Sequence, residues 1–266
     1  MNTECKTESI QFHALGSREV RGQFDGGDIT TDAGGLLLRE TEKRTGILKQ
    51  FAGCFQDHRD PRFVEHGIEQ LVSQRVYGLC LGYEDLNDHD QLRSDPMLAV
   101  LVGETDPKGR TRKQARDRGK ALAGKSTLNR LELSTDDAAN HPYKKIGRDE
   151  EAIDELMVDV FLQAHRRASR PIILDLDATD DPIHGSQEGR FFHGYYRHYC
   201  YLPLYIFCGA FVLCSRLRRS DIDGAAGSVE ELERIVGQIR QKWPRVQIVI
   251  RADSGFCRDE ILTWCE

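Results

Sequence analysis

The chain has 266 residues, with 37 Lys and Arg against 43 Asp and Glu, a net charge of −6, and 39% hydrophobic and 30% charged residues. These fractions exclude a disordered chain and suit one large domain or two modest ones. No apolar run approaches the roughly 20 residues of a membrane span, and the polar stretch Met1 to Ile10 is unlike a secretion signal, so a cytosolic setting is expected.

The first 24 residues carry little pattern and suit a short β arm or no fixed structure. Asp25-Gly26-Gly27-Asp28 is a turn signal, and Thr31 or Asp32 is placed to cap a helix through Leu36, Leu37 and Glu40, with Gly46 as its stop. The glycine pairs lack the Lys-Ser/Thr of a phosphate loop. From Phe63 to Leu81, Val64, Ile68, Leu71, Val72, Val76 and Leu79 follow helical spacing. Asp85, Asp88 and Asp90 lack the central Gly and closing Glu of a calcium loop and suit caps and turns, and Asp95-Pro96 opens a short helix to Val102.

A basic block follows. Between Lys108 and Arg130 nine Lys and Arg face the single acid Asp117. This block is either a phosphate-contacting surface or a loop charged for solubility. If it meets DNA, Arg112, Lys113, Arg116, Lys120, Lys125, Ser126, Thr127 and Arg130 are the candidate contacts. Ser126 to Leu133 reads as a short helix, and helix, turn, short basic helix is an order compatible with a DNA-reading element. Ser134 to Arg148, rich in Asp, Asn, His, Pro and Gly, reads as a linker, giving regions 1–133, 134–148 and 149–266.

The second half opens on a helix from Asp149 to Arg167, with acids in its first turn and Ile153, Leu156, Val160 and Phe161 on one stripe. Pro171 to Pro182 then reads as a strand buried on both faces, interrupted by Asp175 and Asp177 near its carboxyl end. A carboxylate inside an apolar strand costs several kcal/mol unless paired, hydrogen-bonded or metal-bound. Phe191 to Tyr199 and Tyr201 to Leu217 read as a strand pair, and Ser228-Val229-Glu230-Glu231 as a capping box opening a helix. Val246 to Arg251 is a second apolar strand, ending on Asp253 and a Ser-Gly turn, with a helix start beyond Cys257. Open α/β sheets bind ligands at the carboxyl edge to which both strands would deliver acids.

Hard divalent cations take oxygen ligands, magnesium needing only one or two carboxylates plus substrate phosphate, and such sites suit in-line phosphoryl displacement. Two other chemistries are compatible with these residues. Asp-x-Asp-x-Thr at Asp175 to Thr179 resembles the opening of haloacid-dehalogenase-type phosphohydrolases, with Asp175 as nucleophile and Asp177 as general acid. His193, His198 and Cys200 are potential zinc ligands or ordinary side chains of a strand pair. The eight cysteines, none in Cys-x-x-Cys spacing, read as free thiols.

Asp177-Ala178-Thr179 after an apolar strand, followed by Ile250-Arg251-Ala252-Asp253-Ser254-Gly255-Phe256, closely resembles the ribonuclease-H-like core of DDE transposases from bacterial insertion sequences. Gly26 to Gly35, Gln74-Arg75-Val76, Gly82 to Asp88, Leu92 to Pro96 and Ser126 to Glu132 resemble motifs of the same family in their usual order, so the likeness covers nearly the whole chain. It implies an α/β fold: a mostly helical N-terminal region, which binds transposon ends, then a mixed-sheet catalytic core incomplete at its C-terminus. It implies metal-dependent DNA cleavage and strand transfer in transposition, with Asp177 and Asp253 as catalytic acids and ligands of Mg2+ or Mn2+, and Asp175 as a further candidate ligand. The partners implied are terminal inverted repeats and target DNA, with self-association as a dimer, in a bacterial cytoplasm and on the nucleoid when DNA-bound. The family's third acid is a Glu on a later helix, and no residue after Asp253 matches it. Weak or absent strand transfer is therefore expected, and a DNA-binding remnant without chemistry is the alternative.

Overall fold

The computed structural model describes residues 10–15, 17–22, 30–168 and 171–266, and the expected turn at Asp25 to Asp28 lies outside them. The chain divides into two units, Met1–Gly147 and Arg148–Glu266.

In the first unit an antiparallel hairpin, β1 (Ile10–Leu15) and β2 (Arg18–Gly22), precedes α1 (Gly35–Thr45). Gly46 ends α1 at φ +66°, the left-handed conformation that glycine adopts without strain. Asp32 does not cap this helix; its carboxylate accepts a hydrogen bond from the Tyr83 hydroxyl at 2.7 Å. After α2 (Ile47–Ala52) and β3 (Phe55–Asp57), the helix expected from Phe63 begins only at Ile68. Asp60-Pro61 forms a separate 3-10 turn over Pro61–Phe63, and Gly67 is extended, so α3 spans Ile68–Cys80. The remaining elements are α4 (His89–Leu92), α5 (Pro96–Val102), α6 (Lys125–Glu132) and β4 (Ile146–Arg148), which pairs with β3. Asp95 caps α5, accepting from the backbone N–H of Met97 and Leu98 at 2.6 and 3.0 Å. Asp85 caps the turn at Leu86–Asp88, whereas Asp90 pairs with Lys125 of α6.

Gln74 is fully buried on α3. Its amide accepts from the Ala123 N–H at 3.0 Å and donates to the Ala123 carbonyl at 2.8 Å, fixing the backbone that enters α6. Residues 134–147 fold onto this unit, with Ala138 and Ile146 buried.

The basic stretch before α6 is also pinned. Gly109 sits at φ +58°, its carbonyl accepts from the Gly119 N–H at 3.0 Å, and a Cβ there would come within 2.7 Å of the Ala121 nitrogen. Gly109→Ala is therefore expected to destabilise this unit by about 1–3 kcal/mol, because the left-handed backbone is strained and the obstructing atoms are backbone. An unchanged urea midpoint in the variant would contradict this.

The second unit begins with α7 (Glu150–Ala164), capped by Asp149 through the Ala152 N–H at 3.0 Å. β5 (Ile172–Ala178), β6 (Asp181–Pro182), β7 (Phe191–His193), β8 (His198–Tyr201), β9 (Leu204–Cys208) and β10 (Phe211–Arg216) follow, then α8 (Ser228–Lys242), β11 (Ile248–Arg251) and α9 (Asp259–Cys265). The two aromatic runs thus form four strands in two sheets. β6, β8 and β7 make a small antiparallel sheet, while the main sheet has the order β10-β9-β5-β11, with β5 antiparallel to β9 and parallel to β11.

One face of the main sheet is closed. Ile172, Leu174 and Leu176 of β5 and Leu204 and Ile206 of β9 pack with Phe161 of α7 and Leu232, Ile235 and Ile239 of α8. Burying each such side chain contributes roughly 1.5–3 kcal/mol. The strand expected to be buried on both faces is therefore buried on one: alternation turns Ile173, Asp175 and Asp177 away from this core, where two carboxylates stay solvated. The capping box at Ser228 does not form either. Gly227 holds the cap position, and Glu231 instead pairs with Arg216 and Arg234. The seven described cysteines are free thiols, and burial, with Glu231 nearby, pushes the Cys214 thiol up to about 12.

Candidate active site

The parallel ladder sets the geometry of the acids. Arg251 on β11 stands opposite Asp175 on β5, so two residues further along each chain Asp177 and Asp253 come to the same carboxyl edge of the sheet. Asp253 closes β11 by capping the turn Ser254–Phe256, its Oδ1 accepting the Gly255 N–H at 2.7 Å. Phe256, buried in the core, anchors that turn.

The three acids are not equivalent. Both oxygens of Asp175 are taken by the Arg251 guanidinium, Nη2 donating to Oδ2 at 2.8 Å and Nε to Oδ1, and this hydrogen bonding holds the carboxyl below its usual range. Asp175 thus joins two strands through an ion pair that engages both of its oxygens. Asp177 makes no hydrogen bond or ion pair among the described residues, and Oδ2 of Asp253 is likewise without a hydrogen-bond partner there. A pair of carboxylates with unengaged oxygens at an exposed edge is a donor set of the kind that holds a hard divalent cation with a phosphate completing the shell.

Around this edge lie residues that sequence reasoning did not single out. The turn between β7 and β8 carries Tyr196, whose phenol is pushed up by burial first and then by the charges of Asp180, Tyr195, Asp177 and Asp253. His198 Nε2 lies 2.6 Å from Oδ2 of Asp180, and the Tyr196 ring stacks on the His198 ring at 6.1 Å. Cys200 is buried, and among the described residues it forms no metal-holding group with His193 and His198. Tyr196 comes to this edge through a hairpin fold-back that sequence spacing does not encode.

A second site lies in the first unit. A cleft of about 610 Å³ is bordered by Arg112, Lys113, Arg116, Ser126, Thr127 and Arg130 of the candidate DNA contacts. Lys120 and Lys125 are outside it: Lys120 donates to the Arg116 carbonyl at 3.2 Å, and Lys125 to Asn87 at 2.9 Å. Arg112 borders the cleft but is committed to Glu65 and His66.

No significant match was found among curated proteins or among solved structures. The family model for the transposase DDE domain group 1 matches residues 12–266. Because that match spans both units, the chain belongs to the DDE transposases, a family whose reaction is polynucleotidyl transfer on DNA.

Proposed function

We propose that the chain acts at the terminal inverted repeats of a bacterial insertion sequence, cutting strands and joining them to target DNA with Asp177 and Asp253 as its catalytic carboxylates. What carries the reading is the β5–β11 register, which sets two acids with unengaged oxygens at one sheet edge of a DDE-family chain. Asp177 and Asp253 would hold Mg2+ or Mn2+, which when bound supplies activation of the attacking hydroxyl and charge neutralisation on the scissile phosphate. The fold itself positions the acids: Asp253 is fixed by its turn, and the parallel β5–β11 ladder holds the two strands in register beneath the site. The third acid of the family's set is left unassigned. In this reading the second unit is the ribonuclease-H-like catalytic core, the first unit supplies the DNA-end contacts through its basic cleft, and the protein self-associates as a dimer in the cytoplasm.

The test is binding and nicking of labelled DNA carrying the terminal repeats, with and without Mg2+ or Mn2+. Metal-dependent nicking is expected. Binding without nicking would replace the reading with that of a DNA-binding protein without chemistry. Asp175→Asn, which breaks only an exposed ion pair, should leave nicking within the same order of magnitude as wild type. Loss of nicking in that variant would return Asp175 to the metal site.

A further inference from the structure

The cleft in the first unit has more than cations. Phe63 and Tyr143 border it with 80% and 76% of their surfaces exposed, from two loops about 80 residues apart in sequence. Neither ring stacks on another aromatic side chain among the described residues, so both faces are open to a ligand. The Arg62 guanidinium lies 5.7 Å from the centre of the Phe63 ring, so a cation already sits beside this ring.

The charges of the cleft are also resolved in one direction. Its four acids are each matched by a neighbouring cation: Asp60 by Arg62 at 2.6 Å, Glu65 by Arg112, Asp90 by Lys125 at 3.1 Å and Asp117 by Arg93 at 3.1 Å. Lys113 and Arg130 then remain without a carboxylate partner among the described residues, and Lys145 donates only to the Ala139 carbonyl, at 2.8 Å, an exposed bond that a phosphate can replace. A surplus of cations beside two open aromatic faces is complementary to phosphates that alternate with unstacked bases. Paired bases in a duplex hide their faces in the stack, so a duplex would use the cations and leave the rings idle. A volume of about 610 Å³ also falls within the range of pockets that enclose small molecules, a fit for one or two nucleotides.

We infer that this cleft takes unpaired nucleotides of single-stranded DNA, with Phe63 and Tyr143 stacking on bases and Lys113, Arg130 and Lys145 meeting the flanking phosphates. The inference rests on the reading of the chain as a protein acting on DNA and adds the form of DNA that this unit engages.

The full chain would be titrated against a blunt duplex and against the same duplex with a single-stranded tail containing 2-aminopurine. Wild type is expected to bind the tailed DNA more tightly and to quench the 2-aminopurine fluorescence by stacking. Phe63→Ala and Tyr143→Ala should each weaken binding of the tailed DNA roughly 5- to 150-fold, the loss of one base stack, and leave blunt-duplex affinity unchanged. Phe63→Tyr should keep the wild-type affinity, and thermal melts of all variants check that removing these exposed rings leaves the fold intact. Equal losses on both DNAs, unchanged affinity in the alanine variants, or no preference for the tail in wild type would each overturn the inference. Metal-dependent nicking that persists in those cases would leave the proposed function standing, whereas no binding to either DNA would remove both.

Discussion

Asp177→Asn is expected to lower metal-dependent nicking by on the order of 10²–10³-fold while DNA affinity stays near that of wild type. Metal-assisted stabilisation of phosphoryl transfer is worth several kcal/mol, and each 1.36 kcal/mol is a factor of ten in rate. Asn keeps the shape of the side chain and removes its charge. Asp177 has no hydrogen bond or ion pair to lose among the described residues, so the substitution leaves the sheet intact, and a fall in rate reports chemistry alone. Asp253→Asn should lose as much rate, because its amide oxygen can still accept the Gly255 N–H and keep the turn. Nicking within a few-fold of wild type in either variant would remove that residue from the catalytic set.

Arg216→Met is expected to destabilise the second unit by about 2–4 kcal/mol. Arg216 on β10 bridges Asp154 of α7 at 2.5 Å and Glu231 of α8 at 2.7 Å, so it ties both helices to the sheet. The side chains of Asp154 and Glu231 are 8% and 10% exposed, and removing their cation leaves carboxylates in a poorly solvated place. The figure is below the 3–5 kcal/mol typical of a fully enclosed pair because Arg216 itself is 37% exposed and Arg234 still serves Glu231.

This defect depends on pH in a defined direction. Burial raises the Asp154 carboxyl above its ordinary 3.8, and loss of Arg216 raises it further. A raised carboxyl contributes stability that is present below its unfolded value and is lost as pH rises through the folded one. For Glu231 burial acts upward, but hydrogen bonds from Arg216 and Arg234 prevail and hold it below 4.5, so in wild type its contribution is present above that value and fades as pH falls. The gap between variant and wild type is therefore expected to be widest near pH 7 and to narrow toward pH 4. Urea midpoints at the two values measure it, and a gap that widens on acidification would contradict the network.

The sequence made some of this legible because certain signals are local. Asp95-Pro96 opens a helix and Gly46 closes one wherever they stand, and Asp177 and Asp253 each announce a strand end from their own neighbours. The α/β class and the family followed from such signals taken in order. Other features were decided by partners distant in the chain. Apolar residues at Ile172 to Leu176 cannot say whether a second layer covers the strand, and here only alternate positions are buried. Ser228 and Glu231 have the spacing of a capping box, yet a buried Glu gains more from two guanidinium groups than from one backbone N–H, so Glu231 turns to Arg216 and Arg234. The sequence also does not show that Asp175 faces Arg251 across the ladder, or that Arg112 meets Glu65 and His66. Charge counts do not reveal which cations already have partners.

The measurement that most directly tests the central claim is Mn2+ binding by electron paramagnetic resonance, with DNA present, for wild type, Asp177→Asn and Asp253→Asn. Bound Mn2+ in wild type and its loss in both variants, with DNA binding retained, is the predicted result. Equal Mn2+ binding by all three proteins would contradict a shared cation site at Asp177 and Asp253.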